Sequence, residues 1–171
     1  LSTDKASSPV NLYGATKLCS DKLFLSANSL SGNRKTTFSV VRYGNVFGSR
    51  GSVAPFFIEN KKKAYLPITD MKMTRFNVLL EDAIKLVFLS LKKGVGGEIF
   101  IPKTSSFKIT DLAKAVSSKC KLKVIGVRNG EKIHEELISK AESSNTFDLK
   151  KFYVVCGNEK AYKKYSINKK N

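Results

Sequence analysis

Residues 1–17 read LSTDKASSPVNLYGATK, and the rest of the chain is organised around them. Tyr13 and Lys17 stand four apart, as Tyr-x-x-x-Lys, and upstream of them Thr3, Asp4 and Lys5 form a second polar cluster. Pro9 suits the first turn of a helix, where its missing N–H is not needed. The pattern predicts one long helix over 8–31, with Leu12, Leu18, Leu23, Leu25 and Ala27 among its apolar positions and a stop at Ser31-Gly32-Asn33. On such a helix Tyr13 and Lys17 project from one face, one turn apart.

That spacing has a chemical use. A free tyrosine has a pKa of about 10 and is a poor base at neutral pH. A nearby ammonium favours the phenolate. Reaching about 7 takes roughly 4 kcal/mol of differential stabilisation, which Lys17 and a bound cationic cofactor would share. Alone, the pair reads as an ordinary solvated Tyr and Lys on a helix surface.

Four further blocks follow in order: FSVVRYGNVFGSRGSVAPFF at 38–57, PITDMKMTRF at 67–76, GGEIFIPK at 96–103 and GEKIHE at 130–135. With STDKA and NLYGATKLCSDKLF, they resemble the extended short-chain dehydrogenases/reductases over roughly residues 1–155. Within that group they are similar to the inverting UDP-N-acetylglucosamine 4,6-dehydratases that open pseudaminic acid synthesis. The resemblance implies an α/β fold, the C-terminal part of a Rossmann-like doubly wound parallel sheet with a small α/β substrate-binding subdomain. Residues 1–52 would form the catalytic end of the NADP-binding domain. Residues 53–155 would be mainly substrate-binding with returning core elements, and 156–171 a polar tail, disordered or truncated. The chain opens on Leu1 and holds no Gly-x-Gly-x-x-Gly between a strand and a helix, the turn that seats a dinucleotide pyrophosphate. It therefore reads as the C-terminal portion of a longer enzyme.

The same resemblance assigns roles. Tyr13 and Lys17 would be catalytic and touch NADP, and Tyr43 and Asn45 would contact the cofactor, Asn45 the sugar nucleotide too. Thr3-Asp4-Lys5 stands where retaining hexose dehydratases carry Thr-Asp-Glu. Asp4 would then be the acid at carbon 6, Lys5 the group acting at carbon 5, and Thr3 the residue that orients a substrate hydroxyl. Arg75 would contact the substrate diphosphate, and Arg128 and Glu131 of the Arg-x-Gly-Glu-Lys-x-His-Glu motif would bind diphosphate and ribose. Two features depart from the family pattern: Asn77 replaces the usual Trp after Thr-Arg-Phe, and the segment between Phe57 and Pro67 is slightly short. Read from the residues alone, Asn45 is equally a turn asparagine, and Arg128 with Glu131 a solvated salt bridge.

Elsewhere the pattern sets out ordinary elements. Phe38–Val41 is a short β-branched run of the kind buried in a parallel sheet. Residues 53–62 suggest a short helix after Gly51-Ser52, whose N-terminal amides would approach a phosphate. Residues 67–79 read as short strands joined by a turn, and an arginine buried there needs an anionic partner. LEDAIKLVFLSLK at 80–92 is amphipathic, with Leu80, Ala83, Ile84, Val87, Phe88 and Leu91 expected on the core face. EIFIP is a buried strand, ITDLAKAVSSK a helix capped near Thr110 and KLKVIGV a strand.

Composition bounds the function. An apolar content of 42% with 10% aromatics is that of a globular chain. No run approaches the roughly 18 apolar residues of a membrane span, so no membrane partner is expected. The net charge of +17 invites nucleic acid. Only five of the 31 basic residues are Arg, however, and no aromatic-interleaved stripe appears, so nucleic acid is not expected and the charge favours anionic ligands. Cys19, Cys120 and Cys156 are far apart, fitting buried thiols in the cytoplasm. His134, the single histidine, has no second ligand at metal spacing, and no metal is expected. The expected partners are a UDP-sugar and, in the intact protein, further copies of itself. A related sugar-nucleotide epimerase or reductase, and a non-catalytic basic domain, remain the alternatives.

Overall fold

The computed structural model describes residues 1–32 and 35–167. Two compact units alternate along the chain: Leu1–Gly44 with Glu81–Lys103 and Glu136–Asn171, and Asn45–Leu80 with Thr104–Glu135.

The first unit is built on a five-stranded sheet. Its strands are β1 (Ser2–Thr3), β2 (Val40–Tyr43), β6 (Glu98–Pro102), β9 (Thr146–Asp148) and β10 (Phe152–Cys156), in spatial order β1-β2-β6-β10-β9. β1, β2 and β6 run parallel, and β10 is antiparallel to both its neighbours. Alternation along the strands divides the core. Val40, Ile99, Ile101 and Val155 face one way, with Leu25 of α1 (Leu12–Leu30) packed on them. Val41, Phe100, Val154 and Cys156 face the other, against Leu86 of α3 (Leu80–Lys93) and Ala161 and Tyr165 of α5 (Glu159–Ile167). Helices on both faces of a partly parallel sheet make the doubly wound arrangement expected from the sequence.

Several local expectations change. α1 starts at Leu12, not at residue 8, because Asn11 caps it by accepting the Gly14 N–H at 2.8 Å; Pro9 lies before the cap. Asn33, expected in the turn that ends α1, lies outside the described residues. The inward stripe of α1 is Gly14, Leu18, Asp21, Leu25 and Asn28, whereas Leu12 and Leu23 are exposed. In α3 the large apolar stripe faces outward: Leu80, Ile84, Phe88 and Leu91 are exposed, while Ala83, Leu86 and Ser90 are buried. Small side chains let this helix sit close to the sheet, and nothing among the described residues covers the opposite stripe. Of residues 156–171, expected as a polar tail, 168–171 lie outside the described residues, Cys156 closes β10 and Glu159–Ile167 form α5. Asn158 caps it by accepting the Ala161 N–H at 2.9 Å, and Ala161 and Tyr165 are buried one turn apart.

The second unit holds β3 (Asn45–Val46), α2 (Val53–Asn60), β4 (Tyr65–Ile68), β5 (Thr74–Val78), β7 (Ser106–Lys108), α4 (Ile109–Val116) and β8 (Lys121–Val124). β3, β5 and β7 form one small sheet, and β4 pairs with β8 in another. The strands expected over 67–79 thus exist but do not pair with each other. Phe57, Leu66, Ile68, Met73, Ile109 and Ala113 make this unit's core. Among the described residues no helix is long and apolar enough to cross a membrane.

Candidate active site

In the first unit, Thr3, Asp4 and Lys5 form one hydrogen-bonded group. Asp4 opens a single 3-10 turn (Asp4–Ala6) and is 1% exposed. Its Oδ1 accepts the Thr3 hydroxyl at 2.6 Å and the Lys5 ammonium at 3.1 Å. The Thr3 hydroxyl proton therefore points at Asp4, and its oxygen accepts the Lys5 backbone N–H at 3.4 Å. On α1, Lys17 Nζ lies 5.7 Å from the centre of the Tyr13 ring, and Tyr13 is half exposed. The helix brings the pair together as the spacing requires, with the ammonium over the ring face.

Gly14, next to Tyr13, lets α1 approach that turn. A Cβ at this position would lie 2.4 Å from the Lys5 carbonyl oxygen. The sequence offered one signal for it, a glycine inside a helix, where glycine costs about 1 kcal/mol relative to Ala.

Arg42 of β2 is the other residue the sequence reading passed over. It is fully buried and all five of its N–H donors are engaged: Asp21 Oδ2 takes two, Glu142 two and the Leu137 carbonyl one, at 2.9–3.3 Å. Burial alone would pull the guanidinium pKa down, but the bonds and charges of Glu142 and Asp21 outweigh it and hold it above the ordinary value. Burial likewise pushes Glu142 up, and Arg42 and Ser139 together hold it below the usual carboxylate range. The cysteines differ from the expectation of buried thiols. Cys19 is exposed and Cys120 half-buried; only Cys156 is buried, where desolvation and then Glu98 push its thiol up to about 12. Tyr43 ends β2, in register with Thr3.

In the second unit, Asn45, Arg75, Arg128 and Glu131 line one cavity of about 820 Å³. Arg128 and Glu131 are the ends of a turn closed by Glu131 N–H donating to the Arg128 carbonyl at 3.1 Å, with Gly130 at φ 81°, as a type II turn requires at its third residue. Among the described residues Arg75 pairs with no carboxylate: its Nη1 and Nη2 donate to the Thr74, Ile133 and Lys132 carbonyls. The guanidinium fastens the 132–133 segment to β5 at the wall of the cavity. His134 is hydrogen-bonded to Thr74 at 2.7 Å. At the start of α2 the Ser52 side chain makes no capping bond, its Oγ is buried without a partner among the described residues, and it lines the cavity. Asn77, in place of the usual Trp, pairs in register with Asn45.

Residues 1–157 match the polysaccharide biosynthesis protein family. The chain is 53% identical, over 98% of its length, to UDP-N-acetylglucosamine 4,6-dehydratase (inverting) of Campylobacter jejuni serotype O:2, of which it covers 52%. To UDP-glucose 4-epimerase of Rickettsia bellii it is 41% identical over 98% of its length, covering 51% of that protein. Among solved structures, Pen from Bacillus thuringiensis superposes with a TM-score of 0.85 at 38% identity, over 92% of this chain and 51% of that one. The chain spans about half the length of the curated relatives it matches.

Proposed function

Because the chain belongs to the polysaccharide biosynthesis protein family, we propose that it is the C-terminal half of an inverting UDP-N-acetylglucosamine 4,6-dehydratase. The observation that carries this reading is the Thr3-Asp4-Lys5 network beside the Tyr13-Lys17 helix. An epimerase needs the tyrosine and lysine but not a buried carboxylate joined to an amine. The higher identity to the Campylobacter dehydratase points the same way.

The first unit carries the reacting groups. NADP, when bound, would supply a hydride acceptor for carbon 4 and a hydride donor for carbon 6. Tyr13, with the Lys17 ammonium over its ring, takes the proton of the 4-hydroxyl as the hydride leaves, giving a ketone that acidifies carbon 5. Lys5 as free amine takes the carbon 5 proton, and Asp4 as acid gives a proton to the departing 6-hydroxyl, which leaves as water. The Lys5–Asp4 hydrogen bond joins the acid and the base. Carbon 5 is then reprotonated on the face opposite Lys5, which inverts it, and Lys5 releases its proton to solvent. Within the first unit Tyr13, Lys17 and Tyr43 suit the nicotinamide end of the cofactor, and this chain has no glycine-rich turn for the pyrophosphate. The second unit carries recognition. Arg128 suits a diphosphate and Glu131 ribose hydroxyls. The unpartnered Ser52 Oγ and the α2 N-terminal amides add donors. A cytoplasmic, homo-oligomeric enzyme that opens pseudaminic acid synthesis belongs to the same proposal.

The test is the full-length protein with UDP-N-acetylglucosamine and NADP⁺, followed for a 4-keto-6-deoxy product inverted at carbon 5; an epimerised hexosamine instead would overturn the reading. Within it, Arg128→Ala should raise KM by an amount worth about 1.5–3 kcal/mol and leave NADP⁺ affinity unchanged. Equal loss of both affinities would make Arg128 structural. The 171-residue chain by itself should not bind NADP⁺ tightly, and calorimetry showing stoichiometric, tight binding would contradict the cofactor assignment.

A further inference from the structure

We propose that Arg42 is a positioning residue that refers both groups of reacting side chains to one strand. The inference rests on the dehydratase reading of Tyr13, Lys17, Asp4 and Lys5 and concerns what holds them in place. Asp21 lies on α1 two turns beyond Tyr13, with Lys17 midway, so its bonds to Arg42 at 3.0 and 3.3 Å anchor the helix that carries the pair. Arg42 itself sits opposite Ser2 in the β1–β2 pairing, and Tyr43 sits opposite Thr3. The strand that holds the tyrosine helix is therefore also the strand that registers the Thr3-Asp4-Lys5 turn.

Glu142 closes the hub from the far side. Its two oxygens accept a guanidinium fork at 2.9 and 3.0 Å, and Oε2 also accepts the Ser139 N–H and hydroxyl. The Leu137 carbonyl takes the last donor. A lysine keeps the charge but offers three donors from one point, so it cannot span Asp21, Glu142 and Leu137 together. One guanidinium thus ties the 137–142 segment, α1 and β2 into a single buried joint, with Arg42 0% and Asp21 3% exposed.

The test uses the full-length protein with Asp21→Asn, Glu142→Gln and Arg42→Lys, assayed well below each variant's melting temperature. A displacement of about 1 Å costs on the order of 10²-fold in rate. Each variant should lose turnover on that scale, with the single-turnover appearance of reduced cofactor slowed in step and KM for UDP-N-acetylglucosamine within about twofold of wild type. Asp21→Asn combined with Glu142→Gln should lose little more than either alone, because both release the same arginine. Glu142 is 13% exposed, so its Gln variant carries the test if Asp21→Asn does not fold. Variants that melt earlier yet keep wild-type kcat would reduce Arg42 to a brace of the fold and overturn the proposal. A wild-type protein that never oxidises the sugar nucleotide would overturn the dehydratase reading instead.

Discussion

Lys5→Ala in the full-length protein is expected to stop net turnover while leaving the first hydride transfer possible. The residue acts at carbon 5, after Tyr13 has overseen oxidation at carbon 4, and its amine is placed by a 3.1 Å bond to Asp4. Mixed with UDP-N-acetylglucosamine, the variant should show reduced-cofactor absorbance in a single turnover. It should not exchange the carbon 5 proton with deuterated water. Removal of a general base costs about 10²–10⁴-fold, and no other amine is hydrogen-bonded to Asp4 among the described residues to replace it. Tyr13→Phe should abolish both signals, since no ketone forms to acidify carbon 5. The two variants therefore separate by step and not merely by residual rate. Undiminished deuterium incorporation in Lys5→Ala would move the base to Asp4 or a water.

Gly14→Ala is expected to lose far more activity than stability. The added Cβ meets the Lys5 carbonyl oxygen at 2.4 Å and Pro9 Cβ at 3.0 Å. The first of these is backbone and cannot swing aside. Overpacking of this kind costs about 1–3 kcal/mol, but alanine regains about 1 kcal/mol of helix propensity, so the net loss of stability is modest. Catalysis receives no such compensation. Relief of the overlap moves α1, with Tyr13 and Lys17, away from the turn that holds Asp4 and Lys5. A shift near 1 Å corresponds to about 10²-fold in kcat. Thermal melting and single-turnover kinetics on the same preparation separate the two effects, and unchanged kcat would show that the approach of helix and turn is not catalytically tuned. Thr16→Ala, on the exposed side of the same helix, is the control.

The α3 helix shows where pattern reading stops. Its amphipathic period placed a helix over 80–92 correctly, and the dipole-matched charges at its ends are there. Which apolar stripe turned inward was decided by the sheet. Ala83 and Ser90 allow close approach, while Ile84, Phe88 and Leu91 stay outside. Period alone cannot choose between two apolar stripes on one helix, since both satisfy it. The last residues show the converse. A lysine-rich stretch read as a tail becomes α5 because Ala161 and Tyr165, one turn apart, find the far face of the sheet.

What the sequence by itself determined is local and chemical. Tyr13 and Lys17 had to share a helix face from a spacing of four, and Thr3, Asp4 and Lys5 had to be neighbours because they are consecutive. The type II turn between Arg128 and Glu131 follows from Gly130, which alone of the four accepts φ 81° without strain. Tertiary structure decided what lies far apart in the chain. Arg42 meets Asp21 across 21 residues and Glu142 across 100, and no periodicity encodes such a meeting. A buried guanidinium must satisfy five donors at once, and only the folded sheet, helix and loop together present the acceptors that do so.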